Sequence, residues 1–217
     1  LNLPITQSHA PFYNALEPES KKASLWEQMI PRAIEASGMA KVPWIVMHPG
    51  TYPDDAPDFR ESKRRNYEYF MPYLELADRF GCGIAIENMP DITQKRFCCK
   101  AEELCALVDA FSNPLVGCCW DTGHGMISGD DQYEALTLLG HRVKALHIDD
   151  NYGTARDVHL LPYEGLIDWS KVMRALHEIG YDHDFAFEHA LNPTPHAVMP
   201  SQLRYMCALG REMLSNM

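Results

Sequence analysis

The sequence predicts an α/β fold, a (β/α)8 barrel, in a single domain over residues 1–217. Six short apolar runs alternate with longer segments of helical periodicity, which is the pattern of repeated βα units. No GxGxxG or GxxxxGK(S/T) motif follows any run, and this disfavours the competing solution, a doubly wound open sheet. Six units are two fewer than a barrel contains, and a barrel typically needs about 250 residues. We therefore expect this chain to lack the first two βα units.

The predicted strands are short and mostly apolar, as expected of strands that are buried on both faces of a parallel sheet. They cover residues 4–9, 44–48, 84–88, 116–121, 143–149 and 185–189.

The predicted helices lie between these strands and end at helix-stopping residues. Gly81, Gly140 and Gly180 close three of them, and Pro31 should kink the first or start a fresh turn in it. The helices cover residues 20–39, 58–80, 101–111, 131–139 and 168–180, with a last one that opens at Pro200.

Each predicted strand ends at a side chain that can bind a metal. A single His after a strand is more often a hydrogen-bonded loop residue. Here, however, all six predicted strands end at a metal-binding type of side chain, and these side chains follow one another at intervals of about one βα unit. In a barrel these ends share one rim, where active sites lie. Imidazole nitrogens together with carboxylate oxygens suit Zn²⁺ or Mn²⁺ better than Ca²⁺. The six residues are His9, His48, Glu87, Asp121, His147 and Glu188.

Three loop residues extend this set. His124 follows Asp121 in a short turn that can aim both side chains into one site. Asp157 and His159 alternate in the loop after the fifth strand, and alternation in an extended segment places them on the same side. The alternative for each of the three is a solvated polar group of the loop.

Four stretches resemble the xylose-isomerase-like TIM barrel superfamily, which includes sugar epimerases, sugar phosphate isomerases, inosose dehydratase-like enzymes and the endonuclease IV branch. The resemblance covers nearly the whole chain, from the family's third strand onward. The stretches are Ile86-Glu87-Asn88, Asp121-Thr122-Gly123-His124, His147-Ile148-Asp149 and Phe187-Glu188-His189.

The resemblance to the sugar epimerases implies one divalent metal and two catalytic glutamates. The metal would be held by Glu87, Asp121, His147 and Glu188, and the two glutamates would move a proton on opposite faces of the sugar carbon beside the carbonyl. His124 would contact the substrate.

The endonuclease IV branch implies instead nine ligands for three zinc ions, so the expected cofactor is one to three ions of Mn or Zn. The sequence has a candidate for all nine: His9, His48, Glu87, Asp121, His124, His147, Asp157, His159 and Glu188.

Two further features concern the substrate. Arg156 is a candidate to bind a phosphate or a hydroxyl of the substrate, although a surface ion pair is the ordinary role of such a residue. Phe12 and Tyr13 follow the first strand and suit packing against a sugar ring, against a base pair, or simply within a lid.

The net charge of −11 disfavours nucleic acid as a partner, because a nucleic-acid binder needs a basic surface. Three divalent ions would still leave an acidic protein.

No apolar run is long enough for a membrane span. The seven cysteines form no CxxC pair and indicate reduced thiols in a cytoplasmic protein. A barrel without its first two units has open sheet edges, so closure in a homo-oligomer is one expectation.

The resemblance, together with the candidate metal ligands, implies a metal-dependent isomerase or epimerase of a sugar, polyol or sugar phosphate, acting by proton transfer through an enediolate. The alternative is a zinc-cluster phosphodiesterase that acts on DNA or on a smaller phosphoester. A third possibility is a sugar-binding or structural barrel without catalysis.

Overall fold

The protein is described from a computed structural model, which covers residues 3–12, 14, 16, 23–51, 58–92, 96–189 and 194–215. Five parallel strands form one sheet, and their order in the sheet is their order in the chain. Such an order, without the reversal of a doubly wound sheet, is that of a (β/α) barrel. The strands are β1 (Gln7–His9), β2 (Trp44–Met47), β3 (Gly83–Glu87), β4 (Val116–Asp121) and β5 (Val143–His147).

The sixth predicted strand, residues 185–189, is wrong in extent. This segment makes a single parallel bridge, between Ile148 and Phe187, beside the extension of β5. Two backbone hydrogen bonds hold it, from Ile148 N to Ala186 O at 2.8 Å and from Glu188 N to Ile148 O at 3.0 Å. No described strand pairs with its other side, so the ladder does not extend. The bridge nevertheless brings Glu188 to the end of β5.

Seven α-helices surround the sheet in the described part of the chain. Most agree with the sequence, but the segment after β4 is a short helix rather than a turn, and α1 is one helix that contains Pro31. The predicted start of α1 at Ser20 lies outside the described residues. The helices are α1 (Ala23–Met39), α2 (Phe59–Phe80), α3 (Ala101–Phe111), α4 (Thr122–Ile127), α5 (Gln132–Leu139), α6 (Trp169–Glu178) and α7 (Met199–Ser215).

Capping residues fix several of these helix ends. The side chain of Asp58 accepts a hydrogen bond from Arg60 N at the start of α2, and Gly81 adopts φ +70° at its end. Asp131 and Asp168 cap α5 and α6 in the same way as Asp58. Such caps satisfy backbone N–H groups that the helix itself leaves free.

The sheet is curled into part of a barrel. The side chain of Gln7 on β1 donates to the carbonyl oxygen of Leu146 on β5, at 3.3 Å, across the inside of the curve. Inward-facing residues form a small interior core, whose members are Val46, Ala85, Cys119 and Ala145. The outward faces of the strands pack against the helices in the larger core.

Small residues allow this curvature. A Cβ atom on Gly83 would lie 2.2 Å from the ring of Trp44, so only glycine fits beside this indole in the interior. Trp120 and Trp169 pack in the larger core, where they are 0% and 2% exposed. None of the described helices has the length and apolar character that crossing a membrane requires.

Candidate metal centre

Glu87, at the end of β3, is the centre of a cluster of side chains at the carboxyl ends of the strands. It is 1% exposed. Its Oε2 lies 2.9 Å from His48 Nε2 and 3.1 Å from His9 Nε2, and its Oε1 lies 3.2 Å from His147 Nδ1. His9 Nδ1 donates to the carbonyl of Ala10 at 2.6 Å, so the lone pair of this ring is on Nε2, toward Glu87. Both carboxylate oxygens thus face imidazoles from the strands on either side.

A second group surrounds His147, at the end of β5. Its Nδ1 lies 2.8 Å from Glu188 Oε2 and 3.9 Å from Asp121 Oδ2. One ligand atom from each of Glu87, Asp121, His147 and Glu188 lies within 4.8 Å of the others. The side chain of Glu188 is 41% exposed, whereas Asp121 is fully buried. The group therefore opens to solvent on the side of Glu188.

A third group comes from the loops. His124 Nε2 and His159 Nε2 each lie 3.1 Å from the same atom, Oδ2 of Asp157. The two imidazoles thus converge on one carboxylate oxygen. The expectation of an extended segment from Asp157 to His159 is wrong, because His159 has φ +44°, in the left-handed region. The side chains meet through this turn rather than through alternation along a strand.

Local structure after β3 and β4 orients two of these residues. Asp121 caps α4, since its Oδ1 accepts a hydrogen bond from His124 N at 2.6 Å. Asn88 exchanges two hydrogen bonds with the backbone of Asp121, at 2.7 and 3.0 Å. The carbonyl of Asn88 accepts from His124 Nδ1 at 2.9 Å, which leaves Nε2 of that ring free to face Asp157.

The loop that carries Asp157 and His159 is anchored by Asp150, which the sequence analysis did not single out. Asp150 is 0% exposed. Its Oδ1 accepts from Asn151 N and Ile167 N, and its Oδ2 accepts from Tyr163 N and from Nε1 of Trp169, all between 2.8 and 3.0 Å. One buried carboxyl group therefore organises both ends of this loop.

Buried carboxyl groups that lie close together dominate the electrostatics of the cluster. Burial would raise the pKa of Glu87, but the charges and hydrogen bonds of His48 and His147 hold it well below its usual value. Burial raises the pKa of Asp121 well above its usual value, and the charge of Glu87 raises it further. Burial and the charge of Asp121 raise the pKa of Asp149 to about 9. These buried carboxyl groups repel one another, and an added cation beside them would stabilise their ionised forms.

Buried polar atoms without hydrogen-bond partners also indicate that this site suits a cation. Among the described residues, no hydrogen-bond partner is present for Asp121 Oδ2, Asp149 Oδ2 or His159 Nδ1, all of which are buried. Buried polar atoms without partners are costly unless a ligand or an ion satisfies them. Imidazole nitrogens and carboxylate oxygens are the donor set of Zn²⁺ and Mn²⁺. All nine predicted ligands are brought together, and the residues fit a metal; that they bind one remains a prediction.

Two predicted substrate contacts lie at the edge of the site. Arg156 is exposed, and its side chain makes no hydrogen bond to any described residue, so its role stays a prediction. Phe12 is 67% exposed, and its ring stacks on that of His48 with centroids 5.1 Å apart. Phe12 thus forms an aromatic wall at the solvent opening of the candidate metal centre. Tyr13 lies outside the described residues.

A curled parallel sheet whose carboxyl ends carry clustered imidazoles and carboxylates is the architecture of an α/β barrel protein, and the residues at its rim fit a metal ion. The chain belongs to the xylose isomerase-like TIM barrel family, whose model matches residues 1–209. This assignment confirms the fold and the family resemblance that the sequence predicts.

Solved structures of similar fold include sugar epimerases. A D-tagatose 3-epimerase-like protein superposes with a TM-score of 0.76 at 25% identity, over 95% of this chain and 78% of that protein. The IOLI protein, solved with a bound zinc atom, superposes with a TM-score of 0.80 at 20% identity, over 97% of this chain and 76% of that protein.

Curated relatives match over shorter shares of their own length. An uncharacterized protein of Methanocaldococcus jannaschii is 29% identical over 186 residues, which are 83% of this chain and 63% of the relative. A protein of Mycoplasmopsis pulmonis named "Probable endonuclease 4" is 24% identical over 183 residues, which are 78% of this chain and 64% of the relative. The chain thus spans less than two thirds of the length of the curated relatives it matches.

Proposed function

We propose that this protein is a divalent-metal-dependent isomerase or epimerase of a sugar, polyol or sugar phosphate. The observation that carries the proposal is the pair Glu87 and Glu188, which approach His147 Nδ1 from two different segments at 3.2 and 2.8 Å. Both carboxylates contact the same imidazole, but Glu87 is buried whereas Glu188 faces the solvent opening of the site. The sugar epimerases among the similar structures, and the zinc atom of the IOLI protein, support the same class.

The residues that would hold the metal are Glu87, Asp121, His147 and Glu188. A bound Zn²⁺ or Mn²⁺ would supply Lewis acidity toward the carbonyl and the neighbouring hydroxyl of the substrate. The protein's own groups would then move the proton of the carbon beside that carbonyl.

Glu87 and Glu188 suit this proton transfer because both are ionised at rest. Burial would raise the pKa of Glu188, but the His147 ring, whose Nδ1 lies 2.8 Å from Oε2, lowers it. The pKa of Glu87 is also lowered. One carboxylate can therefore accept the proton while the other, once protonated, returns it. His124 and Arg156 are the proposed contacts to the hydroxyl or phosphate groups of the substrate.

The test is proton exchange at the substrate carbon. Ketoses, polyols and their phosphates are incubated in deuterated water with the Mn- or Zn-loaded protein, and deuterium uptake and product are followed by NMR. Glu188→Gln should keep the fold and lower turnover by about 10²-fold or more, because the amide cannot accept the proton. Glu75→Gln, an exposed change on α2, is the matched control and should retain activity. Full activity in Glu188→Gln would contradict the proposal.

A second candidate function is phosphoester hydrolysis by a cluster of zinc ions. It is favoured by the contacts of Glu87 with imidazoles on both carboxylate oxygens, and by the separate loop group of His124, Asp157 and His159. The net charge of −11 disfavours DNA as its substrate, because DNA binding requires a basic surface. Three zinc ions per chain together with incision of a duplex that contains an abasic site would place this function first. One bound ion and no incision would favour the epimerase.

The non-catalytic alternative, a sugar-binding or structural barrel, requires that removal of metal by a chelator leaves sugar binding unchanged. A small carbohydrate is the partner that the proposed function requires. Residence in the cytoplasm and a homo-oligomeric state remain predictions.

A further inference from the structure

Asp149 is a buried carboxyl group that the proposed chemistry does not use. It lies two residues after His147 and is 0% exposed. Its backbone is fixed by Thr122, whose hydroxyl donates to the Asp149 carbonyl at 2.6 Å. Its Oδ1 accepts a hydrogen bond from Gly123 N at 3.0 Å. Its Oδ2 is held at a defined place but has no hydrogen-bond partner among the described residues.

The atom that faces Asp149 Oδ2 is Nδ1 of His159, 3.7 Å away. This nitrogen is also buried and has no partner in the described part of the chain. The other nitrogen of the ring, Nε2, points to Asp157, at 3.1 Å. The backbone of His159 is held separately, since its carbonyl accepts from His189 Nδ1 at 2.8 Å. His159 therefore turns one nitrogen to the loop group and the other to Asp149.

The space for this carboxyl group exists because residue 123 has no side chain. A Cβ atom on Gly123 would lie 2.1 Å from Asp149 Oδ2 and 2.7 Å from its Cγ. The backbone N–H of Gly123, the hydroxyl of Thr122 and the missing Cβ together form a built pocket around Asp149, and the pocket aims one oxygen at His159.

We propose that Asp149 is the positioning residue of His159. In this arrangement its Oδ2 accepts a hydrogen bond from the protonated Nδ1 of His159, which leaves the lone pair on Nε2 for a metal ion held with His124 and Asp157. Histidines that bind metals commonly donate their second N–H to a carboxylate, which fixes the tautomer and the orientation of the ring. The inference rests on the proposed metal-dependent function and adds to it an ion at the loop group, so that His124 is a ligand of this ion rather than a contact to the substrate, and Asp149 sets the affinity of the ion.

Two substitutions at position 149 separate this role from packing and from direct ligation. In Asp149→Asn, Oδ1 keeps its bond to Gly123 N, and the amide nitrogen replaces Oδ2. The amide then donates to His159 Nδ1, which forces the ring proton onto Nε2 and blocks the metal. Asp149→Ala removes the acceptor without supplying a wrong donor. A packing or ligand role would make the isosteric Asn the milder change, whereas tautomer control makes Asn the more severe one.

The readout is metal binding rather than activity. Ions per chain are counted by elemental analysis, and affinities are measured by competition with a chromophoric chelator, on proteins shown to be folded by circular dichroism. The wild-type protein should bind one ion at the loop group of His124, Asp157 and His159, in addition to the ion of the proposed metal centre. Asp149→Asn should lose the loop ion, with an affinity decrease of about 10- to 100-fold, and Asp149→Ala should lose less. Asp109→Asn, which changes the charge equally at an exposed pair with Arg142, should bind as the wild type does.

Gly123→Ala is an independent variant, because it keeps the carboxyl group and displaces it. It should lose the same ion. Binding like that of the wild type in either Asp149→Asn or Gly123→Ala would overturn the inference, as would a larger loss in Asp149→Ala than in Asp149→Asn. A wild-type protein with one ion would overturn the inference and leave the proposed epimerase standing, whereas a protein that binds no ion would overturn both.

Discussion

Replacing Asp150 by Asn should destabilise the protein and loosen the loop that carries Asp157 and His159. The two oxygens of this buried carboxyl group accept four hydrogen bonds, two on each. In Asp150→Asn the amide nitrogen replaces one oxygen and therefore faces two N–H donors. A Cβ on Gly165 would already lie 2.3 Å from Asp150 Oδ1, so the amide has little room to turn away.

The magnitude follows from the lost bonds. Each buried donor left without an acceptor costs about 1–3 kcal/mol, so the loss of two gives about 2–6 kcal/mol. The free energy of unfolding of a native protein is about 5–15 kcal/mol, so this is a large fraction of it. The matched control is Asp168→Asn at the exposed cap of α6, where Asn accepts from Ser170 N as well as Asp does. That change should cost less than about 0.5 kcal/mol.

The assay is urea unfolding of the metal-free proteins, with the midpoint and the slope compared between variants. Asp150→Asn should lower the midpoint, and in the metal-loaded form it should also release the ion bound by the loop residues. If the free energies of unfolding of Asp150→Asn and of Asp168→Asn are equal, then the four hydrogen bonds do not organise the loop, and the reasoning is refuted.

Three further predictions concern pH, thiols and the interior. The hydrogen bond that His159 donates to Asp157 raises the pKa of His159 above its ordinary value of 6.5, and burial raises that of Asp149 to about 9. Both groups bind protons more tightly when folded, so the free energy of unfolding of the metal-free protein should fall as the pH rises from 6.5 to about 9; a rise over that range in urea titrations would contradict this. A thiol reagent should modify Cys207 first, because it is the exposed cysteine in the described part of the chain, and peptide mapping of the modified native protein checks the order. Gly83→Ala should lower the free energy of unfolding by about 1–3 kcal/mol through its clash with Trp44, and an unchanged melting temperature would disagree.

The strands and their terminal ligands could be predicted from the sequence because the relevant pattern is local. A short apolar run followed by His48, Glu87 or Asp121 requires no knowledge of the rest of the chain. The parallel arrangement then places these residues at one end of the sheet. His124 is predicted from its short distance to the end of the fourth strand, whereas Asp157 is predicted from its alternation with His159, although the structure brings these two together through a turn.

The residues that orient these ligands could not be found this way. Asn88 was seen only as a neighbour of Glu87, yet it bonds to the backbone of Asp121, 33 residues away. Asp149 and Asp150 look equivalent in the sequence, but one has an oxygen without a partner and the other accepts four hydrogen bonds. Such differences depend on pairings between distant segments, which the local pattern does not encode.

The contact between Gln7 and Leu146 joins positions 139 residues apart. Contacts of such high sequence separation form late, because the entropy of closing a long loop must be overcome before they contribute. His9 and Glu87, at the same end of the sheet, are 78 residues apart, and Glu87 also contacts His147, 60 residues further along the chain. An ion held there would bind the finished fold and not its intermediates. At a concentration of 100 times its dissociation constant it would add about 2.7 kcal/mol to the stability of the native state, so the free energy of unfolding would depend on the supply of metal.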